Sequence, residues 1–399
     1  MKALNTFIME DWLETYRFNS RFNLGESGGS PRHVKDLLLG SDLTEEQASQ
    51  IFLNTILCDS PNRGRDDLRN LIADFHPGST RENVLITTGT SEALFLLFRY
   101  LSPNKIALPL PAFQLLYELP SSLGASVIPL PIRFLEDGSP YIDEKEWIQI
   151  LEKNKPDCLL INNPHNPSGY IFEKIFLQQL ANTALKIDCK IIGDEHYRFL
   201  SSERNILGET VYKPNGNTFI TGSFIKCFGV PGLRIGWCVG PKNALDTMQN
   251  EKNYTTHTVN PITEWISLEV LKNKTSTIFK TIKDEWIENK TILNDFLKSS
   301  NTVYGVIPQG GLVTVLGFKK ATTQKESNTL IQRLIDAGVF VLPLSSMEFG
   351  KYDFQNETTY KEYRLSNLNK GFGFRLGLGC APTKFKLALK EIERILLEN

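Results

Sequence analysis

The chain has 399 residues, 41% of them hydrophobic and 22% charged, a balance that excludes a disordered tail and suggests about two to three domains. Lys and Arg number 44 against 45 Asp and Glu, a formal charge of −1, which gives no general attraction to nucleic acid or to an anionic membrane. No stretch approaches the roughly 20 apolar residues of a membrane helix, and Met1 to Leu13 holds no signal-peptide run. Six cysteines without any CxxC spacing fit reduced thiols in a cytoplasmic protein.

In chain order, Asp66–His76 reads as a helix, Asn83–Thr88 as a short strand and Ser91–Leu101 as a helix. Lys105–Pro109 is strand-like, Gln114–Leu119 helical and Ser126–Leu130 a strand. Asp143 caps a helix that runs to Asn154. Strand Asp157–Asn162, helix Glu173–Lys186 and strand Lys190–Asp194 follow, then strands Asn217–Gly222 and Leu233–Val239. Parallel neighbours need a crossover helix, so this alternation predicts an α/β layer with a mostly parallel sheet. Pro261–Leu297 is one long helical stretch. Beyond it the pattern changes to strand Val303–Ile307, a Gln309-Gly310-Gly311 turn, strand Leu312–Phe318, helix Asn328–Ala337, strands Phe340–Leu342 and Gly373–Leu378, and helix Lys384–Leu397. The expected organisation is an N-terminal arm that joins the smaller domain (1–45), a large α/β domain (46–295) and a small α+β domain (296–399).

Three clusters fall at the carboxyl ends of predicted strands, where open parallel sheets bind ligands. They are Asn163-Pro164-His165-Asn166-Pro167-Ser168-Gly169, then Gly193-Asp194-Glu195-His196-Tyr197, then Ser223 through Arg234 with Lys226 inside it. A lysine in an apolar setting is a candidate amine nucleophile. Ser223 and Arg234 can clamp a phosphate. Asp194 can pair with a protonated ring nitrogen, and Tyr197 and Asn166 with a phenolate oxygen. Together these groups describe a site for pyridoxal 5′-phosphate. His165 and His196 read as loop residues near it.

On these motifs the chain resembles fold-type-I pyridoxal-phosphate enzymes of the class I/II aminotransferase family over nearly its whole length. The resemblance implies an aspartate-aminotransferase-like fold, with a mostly parallel seven-stranded sheet in the large domain, and a homodimer with sites at the subunit interface. It implies that Lys226 carries the cofactor as an imine and acts as the base, and that Asp194 holds the ring nitrogen protonated. Tyr197 and Asn166 would contact the 3′-oxygen, and Ser223 and Arg234 the phosphate. Gly89, Thr90 and Ser91, opening a helix, would add backbone N–H groups for the phosphate. Phe113 matches the aromatic that stacks on the pyridine ring. Arg375 matches the residue that grips the α-carboxylate of an amino-acid substrate.

One position departs from the family. Many members carry a Tyr where Asp59 stands, and that Tyr reaches a phosphate across the dimer. The N-terminus, Glu10-Asp11-Trp12-Leu13 and then Leu24-Gly25-Glu26-Ser27-Gly28, resembles the capreomycidine- and enduracididine-synthase-like subgroup, which acts on hydroxylated arginines and closes a cyclic guanidine. Glu26 stands where a small residue is expected. Glu10, Glu26 and Asp59 supply the carboxylates a guanidinium wants. The expected activity is loss of the hydroxyl from a hydroxylated L-arginine and intramolecular attack by the guanidine. An ordinary aminotransferase using a 2-oxo acid is the alternative. A non-catalytic pyridoxal-binding regulator would need a helical DNA-binding domain, for which residues 1–40 are too few.

Overall fold

The computed structural model describes residues 3–214, 216–349 and 364–398. Its main sheet has seven strands: β1 (Val84–Thr87), β2 (Lys105–Leu110), β3 (Ser126–Pro131), β4 (Cys158–Asn162), β5 (Lys190–Asp194), β6 (Thr218–Gly222) and β7 (Gly236–Val239). Their spatial order is β1-β7-β6-β5-β4-β2-β3. Every pairing is parallel except the two made by β7, which runs antiparallel to both β1 and β6. Strands β4 and β6 are buried along their whole length, as expected for a sheet covered on both faces. The carboxyl ends of β4, β5 and β6 lie side by side, with Asn162 opposite Asp194 and Asp194 opposite Thr221.

A second sheet is antiparallel and four-stranded: β8 (Val303–Gly305), β9 (Val313–Phe318), β10 (Leu342–Pro343) and β11 (Gly373–Gly377), in the order β8-β9-β11-β10. The N-terminal segment reaches this part of the molecule, because Phe22–Asn23 pairs in parallel with Val339–Phe340. Helix α1 (Ile8–Tyr16) bridges the two sheets. The Trp12 indole donates to the Val341 carbonyl at 3.0 Å, while Phe7, just ahead of the helix, packs against Phe113 with ring centroids 5.5 Å apart. Among the described residues no helix is long and apolar enough to cross a membrane.

Local chemistry explains where the elements begin and end. Asp143 caps its helix as expected, accepting from the backbone N–H groups of Lys145 and Glu146. The predicted Pro261–Leu297 helix is two helices, Pro261–Lys272 and Thr277–Ser299. Asn273 breaks it by accepting from the backbone N–H and hydroxyl of Thr275, a local turn that competes with helix. The helix predicted from Asn328 starts at Gln324, because Thr323 and Glu326 form a capping box. The strand predicted from Leu233 starts at Gly236, since Pro231–Leu233 is a 3-10 turn and Arg234 has a φ of 48°.

Candidate active site

The cross-strand row Asn162, Asp194, Thr221 builds the centre of the site. Asp194 is 3% exposed. Its Oδ2 accepts from Asn162 Nδ2 at 3.0 Å and lies 3.2 Å from His196 Nδ1, while its Oδ1 accepts from the Thr221 hydroxyl at 3.1 Å. A carboxylate offers about four acceptor positions. Three are taken, all by side chains packed around the Asp, and the remaining one is on Oδ1. This is the donor set expected around a carboxylate that receives one ring N–H⁺.

Lys226 follows β6 in a loop whose neighbours Phe224, Ile225, Cys227 and Phe228 are all buried. Burial holds its ammonium below the usual lysine range; Glu26 pulls the other way, Arg375 adds to the depression, and Glu10 opposes it. A larger share of neutral amine is therefore available near neutral pH.

The phosphate end is built at the N-terminus of α2 (Gly89–Leu101). Gly89 has a φ of +78°, and a Cβ there would lie 2.8 Å from Arg234 Nη2. A Cβ on Gly236 would lie 2.6 Å from the Thr90 backbone nitrogen. Two glycines thus let the exposed Arg234 guanidinium and the first N–H groups of α2 converge without obstruction. Ser223 is buried, and its hydroxyl donates to the Ile235 carbonyl at 2.8 Å and accepts from the Ile225 N–H. In this arrangement Ser223 braces the loop that carries Lys226 and Arg234. Phe113 is half-buried at the start of the helix Gln114–Ser122.

The segment 25–29 laces across the site. The Gly25 carbonyl accepts from Arg375 Nη2 at 2.6 Å, the Ser27 carbonyl accepts from the Tyr197 hydroxyl at 2.6 Å, and the Gly29 N–H donates to the Lys226 carbonyl at 2.7 Å. Arg375 Nη1 donates to Asn166 Oδ1 at 3.2 Å, and its Nε is buried without a hydrogen-bond partner among the described residues. Arg375 is 1% exposed, and burial pushes its pKa down. An unpaired N–H on a buried guanidinium is costly unless an anion arrives to take it. Burial also raises the Tyr197 phenol, which therefore stays protonated and able to donate.

Glu10 and Glu26 come together, but around a residue that sequence reasoning missed. Arg17 lies 3.1 Å from Glu10, 3.2 Å from Glu14 and 3.3 Å from Glu26. The charges of Glu10 and Glu26 are both felt at Lys226 and at Arg375. Asp59 is not part of this group: it is exposed and accepts from the Thr258 hydroxyl at 3.4 Å. Also missed were Asn162 and Thr221, whose signal was a polar residue closing an apolar strand, and the contact of His196 with Asp194.

Taken together, a buried lysine, a shielded carboxylate with one open acceptor position and an arginine over a helix N-terminus fit pyridoxal 5′-phosphate, and they define a pyridoxal-phosphate-dependent enzyme. The fold is aspartate-aminotransferase-like. Residues 54–357 match the model of the aminotransferase class I and II family, and the chain belongs to that family. It is 25% identical to the capreomycidine synthase of Streptomyces vinaceus over 361 residues, covering 88% of each protein. It is 26% identical to the aspartate/prephenate aminotransferase of Thermus thermophilus, over 71% of this chain and 74% of that one. A PLP-dependent cyclase, OrfR, has the same fold with a TM-score of 0.82 at 21% identity, covering 100% of this chain and 98% of that one.

Proposed function

We propose that the protein acts on a hydroxylated L-arginine, removing the hydroxyl as water and closing a cyclic guanidino amino acid of the enduracididine or capreomycidine type. The observation that carries this reading is the Glu10–Arg17–Glu26 cluster, in which two carboxylates whose charge reaches Lys226 and Arg375 hold a guanidinium. The similarity to a capreomycidine synthase over 88% of both chains supports it.

When bound, pyridoxal 5′-phosphate supplies an aldehyde for the substrate amine and a pyridinium ring that takes up the electron pair left at Cα. The chain's residues do the rest. Arg375 grips the α-carboxylate, using the Nε that has no partner among the described residues. Asp194 holds the ring-nitrogen proton, and its three side-chain neighbours keep it in place. Tyr197 and Asn166 stand on the Arg375 side of the site and orient the phenolate edge. Lys226, whose ammonium burial holds below the usual lysine range, takes the α-proton as its free amine. Glu10 and Glu26 hold the substrate guanidinium, and their combined charge disfavours an acidic side chain. The carbon–oxygen bond breaks and the hydroxide leaves as water, taking the proton that Lys226 had accepted. A guanidine nitrogen then bonds to the unsaturated carbon, and the proton it releases returns through Lys226 to Cα.

A homodimer and a division at about residues 45 and 295 belong to the same reading. Leu53, Ile56 and Leu57, each more than 70% exposed, lie just before Asp59 and form an apolar run suited to a second subunit. The two main sheets lie within 84–239 and 303–377, while the helix Thr277–Ser299 runs across position 295.

The second reading, an aminotransferase, is favoured by the similarity to the Thermus thermophilus enzyme. Mass spectrometry after incubation with hydroxyarginine isomers, with and without a 2-oxo acid, separates the two. The cyclase reading expects a product lighter by one water, without a 2-oxo acid. Transfer of the amino group to the 2-oxo acid, with no dehydrated product, would overturn it.

A further inference from the structure

We infer that His196 is a positioning residue for the cofactor, acting through Asp194. His196 lies two residues past Asp194, in the turn that leaves β5, and its side chain is 13% exposed. Its Nδ1 is 3.2 Å from Asp194 Oδ2, the oxygen that also accepts from Asn162. Its ring packs on Tyr197 with centroids 4.2 Å apart. Its carbonyl accepts from the thiol of Cys227, the residue after Lys226. One side chain therefore touches the carboxylate meant for the ring nitrogen and the phenol meant for the 3′-oxygen.

The reason is one of acceptor positions. Asn162 and His196 together saturate Oδ2, and Thr221 takes one position on Oδ1. The only direction left open is the one on Oδ1, so the carboxylate presents one lone pair at one angle. Without the imidazole donor, Oδ2 gains a second open position and the carboxylate can rotate or recruit water. The ring nitrogen is then held less firmly as N–H⁺. Two donors around a buried carboxylate are worth more than their separate values, because each polarises the other.

The inference rests on the assignment of Asp194 to the ring nitrogen, so Asp194→Asn is measured in parallel. His196→Phe removes the donor and keeps an aromatic ring against Tyr197. His196→Asn restores an N–H near the position of Nδ1. Each apoprotein is titrated with pyridoxal 5′-phosphate, and the visible absorption of the loaded protein is followed against pH, with no substrate present. His196→Phe is expected to bind the coenzyme about tenfold more weakly. Its absorption midpoint is expected to move up by about half a pH unit, because a less firmly protonated ring withdraws fewer electrons. His196→Asn recovers most of both effects. If His196→Phe fails to fold, His196→Ala with and without added imidazole gives the same comparison. A dissociation constant within about twofold of the unsubstituted protein and an unmoved midpoint in His196→Phe, with both changed in Asp194→Asn, would overturn the role of His196 alone. No change in Asp194→Asn would overturn the Asp194 assignment itself. Equal losses in His196→Phe and His196→Asn would reduce His196 to a packing residue and also overturn the inference.

Discussion

Arg375 Nη2 donates to the carbonyl of Gly25 at 2.6 Å, joining residues 350 positions apart in the chain. That bond places the N-terminal segment across the same guanidinium that is meant to grip the substrate. It also fixes where Glu26 and Arg17 stand relative to Lys226. The site is therefore assembled from both ends of the sequence.

Arg375→Lys keeps the charge but loses the planar fork that reaches Gly25, Asn166 and a carboxylate at once. We expect kcat/KM to fall about a hundredfold, with coenzyme affinity nearly unchanged. Steady-state kinetics beside a coenzyme titration checks this. An equal loss in both would mean that Arg375 mainly holds the fold.

On the proposed function, Arg17 is the counter-charge that a basic substrate replaces at Glu10 and Glu26. The two carboxylates are partly exposed, so each pairing is modest in strength. In Arg17→Gln, L-arginine is expected to bind about three- to tenfold more tightly, while L-norvaline is unaffected. Binding is read from the coenzyme absorbance. Equal responses to the two amino acids would remove the cation subsite from the account.

A side chain at Gly89 would push the Arg234 guanidinium aside, and a φ of +78° is strained for any other residue. Gly89→Ala is expected to weaken coenzyme binding about tenfold and to cost about 1 kcal/mol of stability. A titration and a thermal melt measure the two effects. Normal coenzyme affinity in a folded variant would place the phosphate elsewhere.

His76 is buried, its Nδ1 is 2.9 Å from the Ile72 carbonyl, and burial drives its pKa from the ordinary 6.5 down to about 3. Below pH 6.5 the unfolded chain takes up a proton that the native state refuses. Stability is therefore fully present above 6.5 and is lost as the pH falls toward 3, by up to about 1.4 kcal/mol per unit. The Tm of the unsubstituted protein should fall more steeply from pH 7 to 5 than that of His76→Gln. Parallel curves would contradict this.

Much of the site was legible because its residues sit at strand ends, where apolar runs stop and chemistry starts. Lys226, Asp194 and Arg234 stood out that way. Asn162 and Thr221 did not, since a single Asn or Thr closing a strand looks like any other, and only the strand register aligns them with Asp194. The antiparallel direction of β7 was hidden because a buried strand reads the same both ways. Arg17 was hidden because Glu10, two turns back on the same helix, reads as a solvated helix residue, and Glu26 meets it only once the chain turns back after α1. Asp59 was grouped with them by its charge and by its place where the family carries a Tyr that reaches across the dimer; within one chain it lies on the surface, away from Arg17.

The most direct test of the account is borohydride reduction of the coenzyme-loaded protein followed by peptide mapping. The account predicts a single pyridoxyl adduct, on the peptide containing Lys226, and no visible band in Lys226→Ala. An adduct on another lysine, or none on a protein that has taken up the coenzyme, would contradict it.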